Sequence, residues 1–219
     1  MISLVSTYKR KKRYLFVLHR LYISVFFFSA LFAHSQLRKE RFSFGIAYGT
    51  GSELRDKDYT FTNRFYKVQV EYVFKEGRHF GYDLIVQPEI NFGAHQLLNE
   101  YFVQPHEPDY ASLREVYTKP KNIRDYVLNV GLKVRKSLSR NTSVYLLGSI
   151  GPMITDTETE RLSKGFAFSD VIAVGFSVKT NAVRFDVRPG LRHVSNGGLY
   201  ESNAGINTKN IEFSVSFVL

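Results

Sequence analysis

Close to the C-terminal end of the 219-residue chain, the stretch RHVSNGGLYESNAGIN, Arg192 to Asn207, sets a histidine and a serine two positions apart ahead of a run rich in Asn and Gly. Alternate residues of an extended strand point the same way, so His193 and Ser195 share a face. An imidazole beside a hydroxyl is the least that makes a serine nucleophilic, because the ring takes the proton as the oxygen attacks. A bend or bulge at the strand end would bring the two side chains within hydrogen-bond reach. Asn196, Gly197 and Gly198, and farther on Asn203 and Gly205, add side-chain amides and accessible backbone N–H groups of the kind that hold an oxyanion. The competing reading is an interfacial polar histidine ahead of a flexible loop, and spacing alone favours it. No GxSxG nucleophile elbow occurs in the chain. The histidines His79, His95 and His106 are expected in turns and loops and suggest no metal site. With no Cys in the sequence, thiol nucleophiles and Cys-based metal sites are excluded.

The segments that must carry these residues alternate apolar and polar with period two, and eight are long enough to be strands. Phe42, Phe44, Ile46 and Tyr48 form one apolar row; Tyr66, Val68, Val70 and Tyr72 form another, against Lys67, Gln69 and Glu71. The same contrast recurs around Leu84 and Val86, around Leu128 to Val134, around Phe185 and Val187, and from Ile211 to Leu219; SVYLLGSIG and SDVIAVGFSV alternate more weakly. A soluble sandwich alternates too, but here Lys67, Glu71, Asp83, Glu89, Lys133, Arg184, Asp186 and Arg188 recur in mid-strand opposite aromatic-rich rows. Those charges fit the polar interior of a membrane barrel whose apolar rows face lipid. The connections add a second argument. Long gaps (residues 50–63, 94–122, 152–165 and 196–208) alternate with short ones (75–79, 137–142 and 179–182), as long extracellular loops alternate with short periplasmic turns. The expected fold is all-β: an eight-stranded antiparallel transmembrane β-barrel of outer-membrane type, with both termini in the periplasm of a Gram-negative cell. On that parity His193 and Ser195 continue the lipid-facing row of the seventh strand at its extracellular end.

The first 35 residues differ in kind. A basic block, Lys9 to Arg13, precedes the apolar run Leu21 to Ala33, and Ala33-His34-Ser35 offers small residues at the positions that signal peptidase reads. The run is too short to span a bilayer, which takes about 20 residues. The expectation is a signal peptide over 1–35, cleaved before Gln36, and one barrel domain over 36–219. Loss of the signal removes six Lys/Arg and no acid, so the formal charge falls from +10 to +4 and a nucleic-acid partner loses its support.

The string HVSNGGLYESNAGIN, on the penultimate strand and the loop after it, resembles the C-terminal signature of the outer-membrane lipid A 3-O-deacylases, acyloxyacyl hydrolase-like barrels. That resemblance implies a serine hydrolase that cleaves an ester-linked acyl chain from lipopolysaccharide, with His193 as general base, Ser195 as nucleophile, and Asn196, Gly198 and Asn203 near the oxyanion hole. It implies no cofactor and no metal, a lipid A substrate in outer-membrane lipid, and is compatible with a homodimer. One position departs from the pattern: where the family has an orienting Glu, this chain has Asn207. An amide still accepts a hydrogen bond from the imidazole but brings no charge. Glu201, in the same loop, is the substitute acid considered; Glu212 has interior parity. The alternative function is a non-catalytic small barrel, structural or adhesive, whose loops, above all residues 94–122, bind something outside the cell.

Overall fold

The computed structural model describes residues 41–55 and 58–219; the segment expected as a signal peptide lies outside them. Eight antiparallel strands follow in order: β1 (Phe42–Glu53), β2 (Tyr59–Glu76), β3 (Gly81–Leu97), β4 (Lys121–Ser137), β5 (Thr142–Thr155), β6 (Gly165–Thr180), β7 (Val183–Ser195) and β8 (Ile206–Val218). Each pairs with its chain neighbours, and β1 pairs with β8, which closes the barrel. Closure leaves no unpaired sheet edge, the condition for a β-structure to sit in hydrocarbon.

Side-chain alternation decides which way the wall faces. Ile46, Ile150, Ile172 and Val174 are 56–63% exposed, whereas Asp83, Gln87 and Lys133 are at 0%. In a sandwich the apolar rows would be the core. Here they are the outside, and the surrounding medium must be as apolar as they are. Interior charges pair across the lumen, which offsets the cost of burying them. Lys133 Nζ lies 2.9 Å from Glu71 and 4.0 Å from Asp83 and Asp186. Lys67 donates to Glu212 at 2.9 Å, Arg188 reaches Glu212 at 2.9 Å, and Arg192 reaches Glu89 at 2.7 Å.

Toward the loop end the lumen turns apolar. Tyr59, Phe61, Ile123, Met153, Leu162, Val194 and Ile206 form a buried cluster. Val194 and Ile206 belong to the ends of β7 and β8, so this cluster clamps from inside the two strand ends whose outward faces carry the candidate site.

The connections correct three expectations. The first link, expected over 50–63, spans only residues 54–58, because Gly49 to Ser52 still pair with Thr62 to Phe65. Small and hydroxyl side chains there weaken the apolar alternation without breaking the ladder. The expected loop 94–122 shrinks to 98–120 and has structure of its own: a 3-10 turn at Glu100–Phe102 and a helix α1 (Tyr110–Tyr117). Tyr117 and Leu113 pack on Leu97 and Val103. Burial, with Glu158 beside it, pushes the Tyr117 hydroxyl up to about 12, so it remains a donor to Glu158, 3.2 Å away. Third, His95 is in β3 rather than a loop; it is 2% exposed, with Nε2 2.9 Å from both Glu160 oxygens.

Candidate active site

Strand β7 stays in regular register with β6 and β8 to its end, without a bulge. Its outward row therefore runs Phe185, Val187, Pro189, Leu191, His193, Ser195, with His193 exposed and Ser195 half-buried at the rim. Cross-strand pairing sets His193 opposite Asn207 of β8, and the imidazole Nδ1 donates to the Asn207 side-chain oxygen at 2.8 Å. An amide oxygen only accepts. The proton therefore sits on Nδ1, and Nε2 keeps its lone pair for a second partner. Asn207 is itself held, since its carbonyl accepts from the Leu54 N–H at 2.8 Å across β1.

Gly205 turns the chain into β8 with φ +75°, and a Cβ there would lie 2.9 Å from His193 Cε1. Only glycine meets both demands, a left-handed backbone and a close approach to the ring. Its N–H donates to the Arg161 carbonyl at 3.0 Å, and Arg161 Nε donates back to its carbonyl at 2.7 Å.

The loop after Ser195 is ordered by its own polar groups. Asn196 is fully buried; its side-chain NH2 donates to the Ser202 carbonyl at 2.9 Å, and its oxygen accepts from the Gly198 N–H at 2.9 Å. The Asn196 backbone N–H donates to the Asn203 side-chain oxygen at 2.8 Å. Gly197 and Gly198 both have positive φ, which makes that tight return feasible. Thus the expected oxyanion donors are partly engaged with one another. Among the described residues, the Asn203 NH2 and the Gly197 N–H donate to nothing, and the Ser195 hydroxyl has no hydrogen bond, including none to His193. Glu201 is exposed in the loop. Glu212 is held inside by Lys67 and Arg188.

One carboxylate escaped the sequence reading. Asp170 of β6 is exposed on the outer wall and pairs with His193 from the side opposite Asn207. The available signal was a lone charge in a row of lipid-facing parity, masked by the weak alternation of SDVIAVGFSV. Asp170, His193 and Asn207 line one cleft of about 270 Å³ with Leu54, Ile172 and Leu191. No group of three or more His, Asp or Glu among the described residues is placed to hold a metal ion.

The wall and lumen define the class: a small transmembrane β-barrel of outer-membrane type, with His193 and Ser195 together on the outward row of β7 at its rim. The family model described as lipid A 3-O-deacylase (PagL) matches residues 112–216, the stretch from α1 to β8. The crystal structure of the outer membrane enzyme PagL matches with a TM-score of 0.54 at 10% identity, covering 78% of this chain and 97% of that one, a likeness of fold. Neisserial surface protein A gives 0.45 at 10% identity over 81% of this chain and 97% of its own. Ail of Yersinia pestis gives 0.40 at 11%, over 80% and 96%. No curated protein matches the chain.

Proposed function

We propose that the protein is a serine esterase that removes an ester-linked acyl chain from lipid A, working from the lipid-facing rim of a barrel in the outer membrane. In this reading it is exported by a signal peptide cleaved before Gln36, and its loops 54–58, 98–120, 156–164 and 196–205 lie outside the cell. The observation that carries the reading is the Nδ1 hydrogen bond from His193 to Asn207, which leaves the Nε2 lone pair free on the outward row that Ser195 continues.

The substrate's acyl chain lies along the apolar wall, entering sideways from the leaflet, with its ester at the rim. Ser195 Oγ attacks the carbonyl carbon as His193 Nε2 takes the hydroxyl proton. The oxyanion is met by the Asn203 side-chain amide and a loop N–H, with Asn196 and Gly198 holding the loop in shape. Collapse expels the sugar oxygen, which receives the proton from the imidazolium. Water then attacks the acyl-serine, again with His193 as base, and the fatty acid departs. In the resting state Ser195 and His193 are not hydrogen-bonded, a common looseness that substrate tightens.

Ser195→Ala tests the reading. Fatty-acid release from purified lipid A, followed by mass spectrometry, is expected to fall at least about a thousandfold while the barrel still folds. Undiminished release would overturn the assignment. Absence of release by the unmodified protein would favour a structural or adhesive barrel.

A further inference from the structure

The cleft beside His193 contains a group that the mechanism above leaves idle. On the outward row of β6, Phe166, Phe168, Ile172, Val174 and Phe176 are apolar and Asp170 is not. A carboxylate facing lipid near the rim of a barrel is unfavourable and usually marks function. Among the described residues Asp170 has neither an ion pair nor a hydrogen bond to offset that cost. What it does have is a place: β6, β7 and β8 pair so that Asp170, His193 and Asn207 form one row across the outer wall, with the imidazole in the middle. Directly opposed Cβ atoms in an antiparallel pair lie about 4.5–5.5 Å apart, so the carboxylate flanks the ring.

We propose that Asp170 is a positioning residue for His193, supplying from β6 the negative charge that Asn207 on β8 lacks. The inference rests on the serine-esterase reading. It divides between two side chains what a single Glu would do. Asn207 fixes the tautomer and orientation through Nδ1, and Asp170 stabilises the imidazolium that forms when Ser195 gives up its proton, acting through its field and without a hydrogen bond. Lys209, outward on β8 opposite Leu191, brings positive charge to the same face and so increases the need for a carboxylate on the other flank. Arg192 points inward to Glu89 and takes no part.

The test uses the full barrel in vesicles and two rates: release of fatty acid from lipopolysaccharide, and labelling of Ser195 by a fluorophosphonate probe, read by intact mass. Asp170→Asn is expected to lower kcat and the labelling rate by about 10- to 100-fold with KM unchanged. Its urea unfolding midpoint should hold or rise, because a charge has left the lipid-facing wall. Adding Asn207→Glu to Asp170→Asn should restore most of the lost rate, since the charge returns from the other flank. Asp170→Asn at the unmodified rate overturns the proposal; so does a loss that Asn207→Glu leaves unrestored, or one accompanied by a lower unfolding midpoint. The esterase reading is judged separately. If the unmodified chain neither releases fatty acid nor takes the probe, that reading fails and this inference goes with it. If the probe labels the unmodified chain but not Ser195→Ala, the esterase reading stands and Asp170→Asn decides.

Discussion

The imidazole of His193 is fixed by small groups on three sides: the Asn207 amide at Nδ1, the bare Cα of Gly205 at Cε1, and the strand ladder beneath. Replacing Asn207 by Leu removes the acceptor that selects the Nδ1–H tautomer. Turnover should fall by about a hundredfold or more, in line with the loss when a triad acid is exchanged for a group that favours the wrong tautomer. Asn207→Glu keeps an acceptor and adds charge, so kcat should hold or rise, by up to about tenfold, or ~1.4 kcal/mol. Gly205→Ala is predicted to lower activity for a different reason: the added methyl would meet Cε1 at 2.9 Å in a backbone at φ +75°. The ring must move or the loop must yield. All three variants can be ranked by initial rates of fatty-acid release.

Each strand has two jobs, to present apolar groups outward and to leave room inside for the polar filling. β6 illustrates the second. Gly175 faces the lumen where the Tyr145 ring of β5 lies across it, and a Cβ there would sit 2.0 Å from Tyr145 Cζ. Gly148 of β5 faces outward, with nothing within 4 Å of such a Cβ. Gly175→Ala should therefore destabilise the barrel by roughly 1–3 kcal/mol through overpacking. Gly148→Ala should stay within about 0.5 kcal/mol of the unmodified protein. Urea unfolding in lipid vesicles separates the two; equal effects would mean that the barrel interior is looser than the packing of Tyr145 implies.

Across the barrel, a single network of paired charges fills the lumen. Lys133, with no exposed surface, neutralises Glu71 at 2.9 Å and faces Asp83 and Asp186 at 4.0 Å. Arg184 also reaches Glu71, and Arg135 reaches Asp83 at 3.2 Å. A side chain so placed fills space and cancels charge at once. Lys133→Met removes the charge and keeps the volume, leaving buried carboxylates short of a partner. The expected cost is about 3–5 kcal/mol. Lys133→Met combined with Glu71→Gln should recover part of it, because the two sites share one interaction. The unfolding free energies of the single and double variants check the coupling.

The strand count, the outward and inward faces, and the shared outward row of His193 and Ser195 were all legible in the sequence, because parity along a strand is a local property and needs no knowledge of the neighbours. Asn207 was singled out through the resemblance of its motif, and the cross-strand pairing sets it against His193. The ends of β1 and β2 were not legible, since Thr, Ser and Gly alternate too weakly to show a ladder that backbone hydrogen bonds still maintain. Nor was the α1 loop, whose fold depends on Tyr117 and Leu113 meeting Leu97 and Val103. The opposition of Asp170 to His193, and the engagement of Asn196, Gly198 and Asn203 with one another, came from tertiary structure alone. Which residue stands beside which across two strands is set by the register at which all eight close into a ring. That register is fixed by packing and pairing around the whole circumference, so no single segment can encode it.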